Sequence, residues 1–259
     1  MYIFFEKELI VSQIKLNLVF MSPFHFKEFT IYQDKTAMKV GTDGVLLGAW
    51  CSVQNYPKTI LDIGAGTGLI SLMLSQRSDA MTIDAVEVEE NAYEQTVDNF
   101  EKSVWGDRLY CYHATFEDFA NEISEEQETY DLILSNPPFY VDDFETADNA
   151  RNKARFTSSL SFENLLLGVS KILSGNGIFS VIIPFKEEEI FTILAQKNNL
   201  YLNRICHVQG NPSSAIKRSL LEFSFHQKSI IKEHLIIEIE RHQYTEDYIN
   251  LTRYFYLKM

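Results

Sequence analysis

The chain has 259 residues, 46% hydrophobic and 23% charged, which suits a soluble globular protein with one well-filled core rather than a disordered or fibrous chain. Its formal net charge of −13 excludes a protein that coats nucleic acid through an overall basic surface, but leaves room for local basic patches. Three scattered cysteines (Cys51, Cys111 and Cys206) and six scattered histidines show neither a disulfide framework nor metal-ligand spacing, and no apolar run reaches the roughly 18–20 residues that cross a bilayer. The cytoplasm is the expected compartment, with no membrane attachment and no metal.

In chain order, the first twenty residues contain apolar patches, but Glu6 and Glu8 stand where a signal peptide would be positive. Met21-Ser22-Pro23-Phe24 offers an alternative translation start. Residues 1–20 are therefore read as a loose extension or a mis-assigned start, and 21–259 as one domain led by an N-terminal segment, 24–56. From Thr59 onward, short β-branched runs alternate with segments of helical period. Thr59 to Ile63, Met81 to Val86, Arg108 to His113, Tyr130 to Ser135 and Gly177 to Pro184 predict strands. Leu69 to Gln76, Glu89 to Ser103 and Phe162 to Leu173 predict helices, the last with Phe162, Leu165, Leu166, Val169, Ile172 and Leu173 on one face. Glu117 to Asp131 carries seven acids and no base, a solvated helix face and loop. Ser174-Gly175-Asn176-Gly177 predicts a turn. After Asn198, Leu200 to Val208 and Arg218 to Phe225 follow one another as strands, which predicts an antiparallel pair near the C-terminus. His234 to Glu240 predicts a further strand, and Thr245 caps a final helix. The alternation as a whole predicts an α/β fold with a mostly parallel sheet and helices on both faces.

Two motifs carry chemistry. Leu61-Asp62-Ile63-Gly64-Ala65-Gly66-Thr67-Gly68 follows a predicted strand and opens a predicted helix, so its glycines permit a tight turn and close approach of a ligand to the backbone. The G-x-G-x-G spacing differs from the G-x-G-x-x-G of dinucleotide binders. Glu87, with Val88 beside it, ends the next strand, where an acid accepts hydrogen bonds from ribose hydroxyls. Asn136-Pro137-Pro138-Phe139 ends a later strand, on the side where open α/β sheets bind ligands. Two prolines fix an extended chain and donate no hydrogen bonds. The side-chain carbonyl of Asn136, the backbone carbonyl of Pro137 and the flat face of Phe139 together suit a planar amine, as on adenine, guanine or an amide.

Taken in this order, the glycine motif, the acid and N-P-P-F resemble those of class I S-adenosylmethionine-dependent amino-methyltransferases. The segment from Gln33 to Trp50, QDKTAMKVGTDGVLLGAW, is similar to the corresponding part of the bacterial tRNA(Val) adenine-37 N6-methyltransferase family, and the similarity runs from about Phe24 to the C-terminus. The resemblance implies a Rossmann-like seven-stranded sheet and S-adenosylmethionine as cofactor. It also implies methylation of the exocyclic N6 of adenine 37 in the anticodon stem-loop of valine tRNA. Cofactor residues carry over onto Asp62, Gly64, Gly66, Gly68, Glu87 and Val88, and base-binding residues onto Asn136, Pro137, Pro138 and Phe139. Thr42 would cap a helix beginning near Asp43 and lie close to the methionine end of the cofactor. Where relatives have an acid after the third strand, this chain reads His113-Ala114-Thr115-Phe116, which leaves the adenine contact open. Lys27, Lys35, Arg151, Lys153, Arg155, Lys217 and Arg218 are candidates for a phosphate-binding rim. The chain is expected to act as a monomer. A ribosomal-RNA guanine-N2 methyltransferase, a protein glutamine N-methyltransferase and a catalytically silent cofactor-binding module remain alternatives, since each is compatible with part of the same motif set.

Overall fold

The computed structural model describes residues 22–138 and 160–259. In chain order the elements are β1 (Phe24–His25), β2 (Thr30–Ile31), α1 (Thr42–Trp50), β3 (Thr59–Ile63), α2 (Leu69–Arg77), β4 (Thr82–Glu87), α3 (Glu90–Glu101), β5 (Leu109–His113), α4 (Phe116–Glu125) and β6 (Tyr130–Ser135). There follow α5 (Phe162–Ile172), β7 (Leu173–Pro184), α6 (Glu188–Lys197), β8 (Tyr201–Gln209), β9 (Ile216–Ser224), β10 (Ile231–Ile236), β11 (Glu238–Glu240), β12 (Gln243–Tyr244) and α7 (Glu246–Thr252).

The main sheet runs β10-β8-β9-β7-β6-β3-β4-β5. The five strands from β7 to β5 are mutually parallel, whereas β9 is antiparallel to both β7 and β8. The mostly parallel sheet with an antiparallel C-terminal pair is thus present. Among the described residues the expected count of seven strands is corrected to eight, because β10 pairs parallel to β8 along the outer edge. The run expected at 234–240 is split: Ile237 and Glu238 donate to the carbonyls of Gln209 and Gly210 as β8 gives out, and β11 pairs instead with β12.

Side chains alternate across this sheet, as strand geometry requires. Ile60, Leu132, Leu134, Ile182 and Leu220 face α1, α2 and α7, while Leu61, Ile133, Val181, Ile183 and Leu221 face α4, α5 and α6. Close helix contact on the first face depends on a small residue: a Cβ on Gly48 of α1 would lie 2.7 Å from Met73 Sδ of α2. The acid-rich stretch forms α4 because Phe116, Phe119, Ala120 and Ile123 make a buried stripe and Thr115 accepts from Asp118 N at its start, which leaves the acids to solvent. Thr245 caps α7 as expected, accepting from Tyr248 N. The turn expected at 174–177 lies inside β7. Tyr130 pairs with Leu173 and Leu132 with Ile178, so these residues loop out as an irregularity and the strand resumes.

Candidate active site

The site begins with adjacent strand ends. Ile63, the last residue of β3, pairs with Val86 of β4 on one side and Ser135 of β6 on the other. The glycine turn after β3 is therefore flanked at the same level by Glu87 and Asn136, each about one strand spacing of ~4.8 Å away. Ser135 Oγ donates to Ile63 O at 3.1 Å and Gly64 N to Val86 O at 2.9 Å, which fastens all three ends together.

Within the turn Gly64, Gly66 and Gly68 all have positive φ, +76°, +62° and +73°, a region that excludes most side chains. The three differ in what a Cβ would meet. At Gly64 and Gly66 it would enter open space, whereas at Gly68 it would lie 2.6 Å from Phe100 Cε1 of α3. The first two glycines leave room for a ligand, and the third lets α3 pack. Asp62 lies beneath, fully buried. Its Oδ2 accepts from Ser71 N at 3.2 Å and Ser71 Oγ at 2.8 Å, while Oδ1 is buried without a partner. Burial raises its pKa from 3.8 to about 6; the Ser71 hydrogen bonds pull the other way and the charge of Glu87 adds to the rise. Glu87 Oε2 accepts from Gly66 N at 2.9 Å, and Oε1 accepts from Val88 N and Glu89 N, both at 2.9 Å. Three of a carboxylate's roughly four acceptor directions are thus filled by the backbone, which holds the group at the turn with capacity for a further donor. Val88 beside it is exposed. His113 at the end of β5 stacks on Tyr93, with centroids 5.0 Å apart, and its Nε2 lies 3.2 Å from Val88 O.

On the other side, Asn136 is half-buried, Pro137 buried and Pro138 exposed. A Cβ on Gly44 of α1 would lie 3.1 Å from Leu69 Cδ2 of α2, a tight approach, and 4.0 Å from Asn136 Nδ2, an ordinary contact, so the first turn of α1 lies close to this loop. Phe139, Arg151, Lys153 and Arg155 lie outside the described residues, as do residues 1–20. Thr42 is corrected from cap to first helical residue: Gly41 holds the cap position, with no side-chain cap bond. Thr42 lines a cavity beside the loop.

The four described cations of the proposed rim make different contacts. Lys27 Nζ donates to Arg253 O and Met259 O at 2.5 and 3.0 Å, clamping the C-terminal segment. Lys35 bridges Asp98 and Glu94 of α3 at 3.0 and 3.2 Å, and hydrogen bonds to those acids push its pKa up. Lys217 and Arg218 line the cavity beside Thr42, with Arg218 Nε 2.8 Å from Asp43 Oδ2.

A polar tie was missed in the sequence. Gln95, Thr96 and Asn99 are buried on α3. Gln95 Oε1 accepts from Lys35 N at 2.8 Å, and Thr96 Oγ1 donates to Gly66 O at 3.2 Å. Asn99 accepts from Tyr32 N at 2.9 Å and donates to Tyr32 O and Thr67 O, both at 2.8 Å. The N-terminal segment is thereby laced over α3 to the glycine turn. The signal was there in the i, i+4 spacing of two amides in a helix otherwise rich in charge. Burial pushes the thiol of Cys51 to about 11 and those of Cys111 and Cys206 to about 12, so none of the three is poised as a nucleophile. Among the described residues no cluster of three metal-ligating side chains occurs, and no helix is long and apolar enough to cross a membrane.

Comparison with known proteins agrees with this geometry. The family model "Methyltransferase small domain" matches residues 45–155. A Flavobacterium johnsoniae protein named tRNA1(Val) (adenine(37)-N6)-methyltransferase is 56% identical over 237 residues, spanning 91% of this chain and 100% of its own. Proteins of the same name are 54% identical in Christiangramia forsetii (92% of this chain, 98% of the relative) and 45% in Bacteroides fragilis (91% and 98%). Among solved structures, "a predicted O-methyltransferase" from Agrobacterium tumefaciens superposes with a TM-score of 0.63 at 17% identity, covering 82% of this chain and 96% of that one. At that identity the likeness shows the fold, a methyltransferase fold.

Proposed function

The chain belongs to the family of tRNA1(Val) (adenine(37)-N6)-methyltransferases, and from that membership we propose that it transfers a methyl group from S-adenosylmethionine to N6 of adenine 37 in the anticodon loop of valine tRNA. The observation that carries the reading is the level juxtaposition of the Asn136–Pro137 loop with the glycine turn across the β3–β6 pair. Bound there, the cofactor supplies a sulfonium methyl as the electrophile. The described residues fit it. Gly64 and Gly66 open the turn to a ligand, the unpartnered Asp62 Oδ1 is an acceptor for its ammonium group, and Glu87, beside the exposed Val88, keeps acceptor capacity for ribose hydroxyls.

The chain's own residues orient the amine. A purine amine is a poor nucleophile because its lone pair is delocalised into the ring. Accepting its two N–H bonds on the Asn136 side-chain carbonyl and the Pro137 backbone carbonyl favours a pyramidal nitrogen whose lone pair points toward the glycine turn. Orientation and fixed dipoles do the catalysis, and no strong base is needed, because the amine proton becomes acidic as nitrogen gains positive charge. Phe139 is assigned from sequence alone to stack on the base, an interaction of ~1–3 kcal/mol in single-strand sites. Extruding an unpaired loop base costs less than breaking a pair, which supports a loop as substrate. The same reading has the protein acting in the cytoplasm as a monomer.

Labelled S-adenosylmethionine incubated with unmodified valine tRNA, an A37G transcript and Asn136→Ala protein tests this. Transfer to the A37 transcript alone is expected, and Asn136→Ala should lose about 10²–10³ in kcat with cofactor affinity retained. Cofactor binding without transfer to the A37 transcript would refute the substrate assignment.

A further inference from the structure

The cavity beside α1 has no role in the chemistry just described. It measures about 290 Å³, near the lower end of the roughly 300–1,000 Å³ typical of ligand sites, so it suits one small unit rather than an extended ligand. Its walls are of two kinds. Leu46, Val208 and Ile237 are apolar, while Lys217 and Arg218 bring cations and Asp43 an acceptor. Arg218 Nε on Asp43 Oδ2 at 2.8 Å, together with Nη1 on Lys217 O at 3.1 Å, fixes the guanidinium in place; Lys217 is exposed.

Topology places this cavity along the ligand-binding edge. Arg218 pairs with Pro184, the last residue of β7, and with Val208 near the end of β8. Since β7 adjoins β6, Arg218 stands two strands from Asn136, about 10 Å across the sheet, and two residues further along it. The turn of α1 that carries Asp43 is the turn whose Gly44 abuts Asn136. The cavity and the Asn136 loop therefore both lie beside the first turn of α1.

We infer that this cavity is a subsite for the nucleotide adjacent to the methylated adenine: Leu46, Val208 and Ile237 contact the base, while Lys217 and Arg218 hold its phosphate. The inference rests on the proposed RNA substrate. An adenine extruded into the Asn136 loop pulls its neighbours toward the sheet edge, and an unpaired neighbour presents an apolar face and an anion, the two chemistries these walls match. It also bears on the acidic net charge: Lys27 and Lys35 are tied to groups that do not line the cavity, whereas Lys217 lies exposed beside it and Arg218, bonded to Asp43, lines it.

The test uses anticodon stem-loops with a single abasic site immediately 5′ or 3′ of the target adenine, methylated by wild type, Ile237→Trp and Lys217→Glu. In wild type, one abasic site should raise the RNA KM about tenfold, the scale of one lost base contact. Ile237→Trp should raise KM for intact RNA by a similar factor and show no further loss with that abasic RNA, its cofactor affinity unchanged. Lys217→Glu, on the exposed rim and hence tolerant of folding, should raise KM for every RNA and flatten its salt dependence. Independent, multiplying effects of Ile237→Trp and both abasic sites would overturn the subsite, as would an unchanged KM in both variants. If wild type binds cofactor yet methylates no intact stem-loop, the substrate reading fails and the subsite with it; normal methylation with uncoupled effects sinks the subsite alone.

Discussion

Asp62 carries a cost in the ligand-free protein, and the role proposed for it in cofactor binding accounts for that cost. Its carboxyl is wholly buried with Oδ1 unpartnered, and its pKa is raised from 3.8 to about 6. A carboxyl whose folded value exceeds the unfolded one binds its proton more tightly when folded. The protein therefore loses stability as pH rises from about 4 to about 6, and the loss is complete above that. The linkage amounts to about 1 kcal/mol at pH 4.5 and about 3 kcal/mol at pH 8. In Asp62→Asn the carboxamide oxygen can accept both Ser71 bonds, and one atom stays unpartnered, as before; only the charge is removed. Urea denaturation of both proteins without ligand should therefore show Asp62→Asn the more stable by about 3 kcal/mol at pH 8, the gap narrowing to about 1 kcal/mol at pH 4.5. The same variant should bind S-adenosylmethionine more weakly by about 1.5–3 kcal/mol, the worth of a charged hydrogen bond. A variant less stable than wild type at pH 8, or a gap independent of pH, would refute the argument.

Gly64→Ala should abolish most cofactor binding in calorimetry while lowering stability only by the strain of a positive φ, about 1 kcal/mol; Gly68→Ala adds the Phe100 overlap and should lose about 2–4 kcal/mol in denaturation. Asn99→Ala cuts the tie between Tyr32 and Thr67, so the cofactor Kd should rise and amide exchange across residues 32–40 should quicken at least tenfold. An unchanged exchange rate would mean the segment is held by other contacts. Arg204 bonds Glu233 at 3.1 and 3.2 Å, lies 3.6 Å from the buried Glu222 and covers Trp50 at 4.1 Å. Arg204→Met strands the Glu222 charge and should cost about 3–5 kcal/mol in denaturation, recovered in part by adding Glu222→Gln.

Two strands, Thr59–Ile63 and Tyr130–Ser135, are legible to the residue because each is a β-branched or apolar run bounded by turn chemistry, glycines after one and prolines after the other. The motifs at their ends are legible for the same reason, since a positive φ or a fixed proline is a demand of the local chain. Helix α1 was expected near Asp43 from the family resemblance and gives no periodic signal of its own. Seven of its nine residues are buried, so it has no polar face to generate a period, and it holds two glycines that propensity disfavours. What covers those glycines is decided by Met73, Leu69 and the Asn136 loop, all distant in sequence.

The sequence by itself determined the sheet's parallel half, the glycine turn after β3 and the proline loop after β6, because these depend on backbone conformation and on residues close together in the chain. Only the tertiary structure decided which partners the cations take. Lys27, Lys35 and Arg218 look alike as surface cations, yet one clamps the C-terminal carbonyls, one neutralises α3 and one lines the cavity by the catalytic loop. A charge acts through distance, and the carbonyls that hold Lys27, the acids that hold Lys35 and the Asp43 carboxylate on Arg218 lie from 59 to 232 residues away along the chain.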